Sequence, residues 1–119
     1  MNYLGWMERA VGERLPEIGQ PVFARLCLEL TADHGRLAGL AKSGLETVGR
    51  WMASGVRSVH EAGGARQGFV SLLAEFANGQ TALVSAESAH QEPSVQVLIV
   101  GRHGTLRWDD FPQPSQLSE

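Results

Sequence analysis

Between Gly68 and Ser88 the chain reads GFVSLLAEFANGQTALVSAES, two strand-forming runs hinged on Asn78-Gly79. No other stretch restricts the fold as much. Asn-Gly between apolar segments is a strong hairpin signal, because both residues tolerate the positive φ that a tight turn demands. A two-residue turn predicts Ala77 opposite Gln80, Leu73 opposite Val84 and Ala74 opposite Leu83. The period of two then sorts the side chains. Val70, Leu72, Ala74, Phe76 and Leu83 fall on one face, and Phe69, Leu73, Ala82, Val84 and Ala86 on the other. Both faces come out apolar.

The flanking segments complete a sheet with helices. Residues 3–15, YLGWMERAVGERL, place Leu4, Met7, Val11 and Leu15 at helical spacing, and Pro16 and Gly19 end that helix. Residues 20–30, QPVFARLCLEL, alternate instead. Val22, Ala24, Leu26, Leu28 and Leu30 face one way, with Phe23, Arg25, Cys27 and Glu29 opposite, which predicts a long strand. After a turn-like TADHG, residues 36–52 return to helical spacing through Leu37, Leu40, Ala41, Leu45, Val48, Trp51 and Met52. Gly39, Gly44 and Gly49 weaken this helix by about 1 kcal/mol each relative to alanine, and let a sheet or another helix approach closely. Gly55 is the expected stop. A short strand over 56–61, the hairpin, a strand over 95–100 and a return over 105–108 follow. The expected fold is therefore α+β: one mostly antiparallel open sheet with two helices packed on one face.

That architecture leaves a face to explain. In the strand over 95–100, Val97 and Ile99 are apolar on one side and Leu98 and Val100 on the other. A sheet face in water should alternate apolar with polar residues, and two helices cover only one face. An apolar second face points to a partner. Burial of roughly 800 Å² per subunit would make a standard interface, so a homodimer through the open sheet is expected. Phe69, Leu73, Val84, Ala86, Val97 and Ile99 are its candidate residues.

Composition closes several other routes. The 119 residues suit one domain, expected over 1–111 with a flexible tail over 112–119. Lys42 is the only lysine among 10 basic residues and the net charge is -3, so no basic stripe exists to track nucleic-acid phosphates. No apolar run is long enough for a membrane span, and no signal-peptide pattern opens the chain. Cys27 is the only cysteine, which fits a reducing, cytoplasmic setting.

Four phrases in order, LPEIGQPVFARL, RWMASGVRSVHEA, FVSLLAEFANGQTALVSAES and VQVLIVGRHGTLRWDD, make the chain from Leu15 to Asp110 resemble the C-terminal domain of the Gfo/Idh/MocA oxidoreductases. The resemblance implies an open sheet with helices on one face and, in many members, dimerisation through the other. It implies NAD(P) chemistry only alongside a separate Rossmann half with a G-x-G-x-x-G turn and an E-K-P motif. Neither motif occurs here. GGARQG at 63–68 has the wrong spacing and precedes a strand, and Lys42 lies outside an E-K-P context. The family's D-x-x-x-H pattern would fall in LAGLAKSGLETVGRWM, where the corresponding turns hold Leu40, Lys42, Gly44 or Glu46. A general base must titrate, and none of these gives Asp followed by His.

Other chemistry-bearing residues give weaker signals. His34, His60, His90 and His103 are spaced too irregularly for a compact metal motif. Cys27 sits mid-strand with no CxxC partner and reads as a structural thiol. Trp6, Trp51 and Trp108 read as core or interface rather than ligand pocket. Asp109-Asp110 reads as a polar strand end. Arg25 and Glu29, on one strand face, could form a cross-strand or intersubunit ion pair.

The expected function is a non-catalytic, dimeric binding or assembly module with no catalytic, cofactor or metal residues of its own. The alternative is the substrate-side subunit or a fragment of an NAD(P)-dependent sugar or polyol oxidoreductase, needing a Rossmann partner supplied in trans. A third reading is a small-molecule-binding protein with a pocket between helices and sheet.

Overall fold

The computed structural model describes residues 3–30, 34–88 and 92–112. Helix α1 (Tyr3–Gly12) leads through a 3-10 turn at Leu15–Glu17 to strand β1 (Pro21–Leu30). A second 3-10 turn, His34–Arg36, opens helix α2 (Leu37–Met52). Five strands follow: β2 (Val56–Gly64), β3 (Phe69–Phe76), β4 (Thr81–Ser88), β5 (Ser94–Gly101) and β6 (Gly104–Asp110). They form one six-stranded sheet in the order β2-β3-β4-β1-β5-β6. The first strand is thus central, pairing parallel with β4 and antiparallel with β5. The remaining pairs are antiparallel, giving the α+β open sheet that the periodicities imply.

Both helices lie on one face and make the core there. Met7 and Val11 of α1, and Leu37, Ala41, Val48 and Met52 of α2, are buried against Leu26 and Leu28 of β1, Val70 and Phe76 of β3, Val84 of β4 and Val97 and Ile99 of β5. The two helices are tied by the Trp51 indole N–H, which donates to the Glu8 carbonyl at 3.1 Å, and by an Arg50–Glu8 ion pair. Trp51 therefore belongs to the core, as its size demands. Gly44 sets the depth of α2. A Cβ there would lie 3.0 Å from Val84 Cγ1 and 3.1 Å from Leu26 Cδ2, so the helix backbone rests directly on β1 and β4.

Local chemistry moved three boundaries. Helix α1 ends at Gly12, and Leu15 and Pro16 belong to the 3-10 turn that follows. Helix α2 stops at Ala53, not Gly55. Ala53 adopts the left-handed conformation and its N–H caps the Gly49 carbonyl at 3.0 Å. Strand β2 continues to Gly64, three residues past the expected end, because it keeps pairing with β3 as far as Phe69.

The hairpin carries the consequential correction. Its ladder pairs Leu73 with Leu83, Ala74 with Ala82 and Glu75 with Thr81. The Phe76 N–H donates to the Gln80 carbonyl at 2.8 Å and the Gly79 N–H to the Phe76 carbonyl at 2.9 Å. The loop is therefore Ala77-Asn78-Gly79, one residue longer than the two-residue reading, with Gly79 at φ +91°. This is the three-residue hairpin that ends on a positive-φ glycine. Asn78 and Gly79 do form the turn, and the Asn78 Oδ1 accepts the Gln80 N–H at 3.2 Å. But a one-residue slip sends every following side chain to the opposite face. Val84 and Ala86 consequently lie under the helices, fully buried, with Val97 and Ile99. Those four cannot belong to the open face; Phe69 and Leu73 do.

Of the tail expected over 112–119, Pro112 is buried and 113–119 lie outside the described residues.

Candidate functional site

With the register fixed, the open face can be assembled row by row. The row through Arg25 runs His60, Leu73, Leu83, Arg25, Leu98 and Arg107 across the six strands. On one side of it lies Phe23, with Thr81 and Glu75 towards β2 and Val100 and Thr105 towards β6. On the other side lies Cys27, flanked by Ser85, Ser71 and Ala62, and by Gln96 and Asp109. Beyond that, Glu29 is the register partner of Glu87, with Phe69 next on β3 and Ser94 on β5. The face is thus not uniformly apolar. Apolar side chains gather around the Arg25 row, a belt of small polar residues follows, and carboxylates close one end. Leu73 is nearly half exposed at 48%, large for a leucine on a regular strand.

The polar belt is largely satisfied within the chain. Ser71 and Ser85 hydroxyls hydrogen-bond each other at 3.2 Å, and the Ser94 hydroxyl donates to Glu29 Oε2 at 3.3 Å. The charges are not. Among the described residues the ion pairs are Arg14–Glu17 and Arg50–Glu8, so Arg25, Glu29 and Glu87 have no opposite charge in contact. Arg25 and Glu29 are four residues apart on one strand, about 13 Å at the strand rise, too far to meet within the chain. Burial pushes the Cys27 thiol up; Arg25 pulls the other way, and Glu29 and Glu87 add to the rise. That is the environment of an unreactive thiol rather than a nucleophile. An open-sided concavity of about 180 Å³ lies here, lined by Cys27, Leu28, Glu29, Ser85, Glu87 and Gln96.

The remaining sequence candidates do not converge. His60 is exposed on edge strand β2 and His103 in the β5–β6 turn; His90 lies outside the described residues. Among the described residues no group of three His, Cys, Asp or Glu could hold a metal ion. A second concavity of about 120 Å³, between the start of β1, the hairpin turn and Arg102, is lined by Gln20, Asn78 and Gln80 among others. Both concavities are smaller than ordinary small-molecule sites, and neither lies between helices and sheet. In α2, Lys42 and Glu46 are exposed, Leu40 is half-buried and Gly44 is sealed against Val84, so these four share no cleft. Asp110 does more than end a strand: its Oδ2 accepts the Tyr3 hydroxyl at 2.7 Å, tying α1 to edge strand β6. Burial, then the hydrogen bond and charge of Asp110, hold that phenol far above its ordinary range. Trp6 packs edge-on against Trp108 beside it, 5.6 Å between ring centroids.

No family model matches the sequence, and no curated protein does. Solved structures match the fold. A probable dehydrogenase from Thermotoga maritima superposes with a TM-score of 0.77 at 14% identity, over 92% of this chain and 40% of that one. A putative myo-inositol dehydrogenase from Sinorhizobium meliloti 1021 gives 0.68 at 13%, over 88% and 37%. A UDP-N-acetylglucosamine 3-dehydrogenase from Acidithiobacillus ferrooxidans gives 0.64 at 15%, over 88% and 36%. The chain shares its fold with part of each of these dehydrogenases. At these identities the likeness is one of fold, and the chain spans no more than two-fifths of the length of these relatives. Among the described residues no helix is long and apolar enough to cross a membrane.

Proposed function

We propose that this sheet domain is a non-catalytic binding or assembly module that pairs with a second copy of itself through the open face of its sheet. The observation that carries this reading is the cluster of Phe23, Leu73, Leu83, Leu98 and Val100 around Arg25, on the face without helices. Six strands about 4.8 Å apart and some seven residues long offer a footprint on the order of 600–800 Å², close to one side of a standard interface. The stretch where the resembled family's D-x-x-x-H would fall, LAGLAKSGLETVGRWM, holds neither Asp nor His, and Gly44 there faces packed core. A reducing, cytoplasmic setting goes with this reading.

The test is the solution mass of Leu98→Glu beside the unaltered chain, with NAD(P) reduction assayed over a polyol and sugar panel. Leu98 points away from the helix-side core, so the variant should fold, lose its partner and show the same absence of turnover as the parent. Turnover by the pure chain, or an unchanged mass in a parent that is dimeric, would overturn the proposal.

One observation favours a second reading. The chain spans about 36–40% of dehydrogenases whose fold it shares, as a substrate-side subunit or fragment of an NAD(P)-dependent sugar or polyol oxidoreductase would. NAD(P) would then arrive only with a Rossmann-domain partner. Dehydrogenase activity on mixing with such a partner, absent from either protein alone, would establish this reading instead.

A further inference from the structure

We infer that the second copy sits on a two-fold axis that crosses β1 at Cys27, so that Arg25 of each protomer pairs with Glu29 of the other. This rests on the dimer reading above and specifies its geometry.

Three observations lead there. First, Arg25 sits amid an apolar row, flanked by Leu83 and Leu98, with no ion-pair partner among the described residues. Covering that row without a carboxylate would strand a buried charge, costly enough to forbid the interface. Second, Glu29 and Glu87 are direct register partners on adjacent strands, both exposed. Like charges side by side across a sheet repel, and a guanidinium with five donors answers two carboxylates well. Third, these complementary groups are equidistant from Cys27, two residues to either side along the same strand.

Symmetry connects the three. In an isologous dimer a contact from one position to another is made twice. For two sheets packed face to face, the axis lies in the plane between them. If it crosses β1 perpendicularly at Cys27, positions 25 and 29 exchange, and Glu29 lies over the partner's Arg25. Packed sheets cross at about 30°, which displaces groups about 7 Å from the axis by some 3–4 Å, within reach of an arginine. The belt at the axis suits close approach. Ser71 and Ser85 are small and already bonded to each other, and Cys27 would meet the partner's Cys27. The inversion also explains why Arg25 and Glu29 find no partner within one chain.

The experiment is charge exchange in the full-length chain, read by sedimentation velocity. Arg25→Glu and Glu29→Arg should each weaken dimerisation tenfold or more, and Arg25→Glu with Glu29→Arg together should restore it. Arg25→Gln and Glu29→Gln, milder at these solvent-facing positions, serve if a reversal fails to give the parent's far-UV circular dichroism. A parent that is dimeric but indifferent to all four substitutions, or one whose double reversal stays monomeric, overturns the inference and leaves the dimer reading standing. A parent that is monomeric throughout overturns both.

Discussion

Gly44 and Gly39 occupy the same helix yet should respond oppositely to alanine. Each glycine in a helix interior costs about 1 kcal/mol against alanine, from backbone entropy. At Gly39 an added Cβ meets nothing within 4 Å, so Gly39→Ala should recover that amount. At Gly44 the same methyl would lie 3.0 Å from Val84 Cγ1, 3.1 Å from Leu26 Cδ2 and 3.4 Å from Leu28 Cδ1. All three side chains are essentially fully buried and cannot swing into solvent. Overpacking of a tight core costs about 1–3 kcal/mol, which equals or exceeds the helix gain. Gly44→Ala should therefore be neutral to about 2 kcal/mol destabilising, and Gly44→Val clearly worse. Since 1 kcal/mol moves the midpoint by roughly 3–6 °C in a chain this size, thermal and urea unfolding at one fixed protein concentration will separate the pair. Equal stabilisation by both alanines would show that α2 does not rest on β1 and β4 at that distance.

Three further outcomes follow from named contacts. Trp51→Phe keeps most of the buried area but loses the bond to the Glu8 carbonyl, leaving that acceptor without its donor; urea unfolding should show a loss of about 1–2 kcal/mol. Tyr3 is the only tyrosine, so its ionisation can be followed by ultraviolet absorbance. Its folded pKa is raised above the unfolded value of about 10, so its contribution is complete below that pH and is lost as pH rises towards the folded value. Stability should thus fall above about pH 10, and Tyr3→Phe should remove that slope while costing about 1–3 kcal/mol at neutral pH through the lost Asp110 bond. Gly79→Ala meets no steric neighbour but must hold φ +91°, so it should cost about 1–2 kcal/mol without changing the fold's circular dichroism.

Most of the fold was legible because periodicity reports burial. The alternation Ala24, Leu26, Leu28 and Leu30 marks the helix-facing side of β1, and the stripe Leu37, Ala41 and Val48 marks the buried side of α2. What failed was register. Asn-Gly signals a turn but not its length, and a third loop residue reversed the face assigned to Val84 and Ala86. In β5 both sides look alike in sequence, so Val97 and Ile99 could not be told from Leu98 and Val100 without the neighbouring strands. Nor could the sequence reveal that β1, first in the chain, is central and parallel to β4. That placement brings Glu87 beside Glu29, 58 positions away along the chain and out of reach of any local pattern. Arg25 and Glu29 were visible as a possible ion pair, but only the strand geometry shows that one chain cannot close it.

The measurement closest to the central proposal is the sedimentation velocity of the unaltered chain over a wide dilution series at neutral pH. A species of twice 12.9 kDa that gives way to the single mass only on strong dilution is the expected result. A single 12.9 kDa species at every concentration would contradict it and leave the open face of the sheet in water.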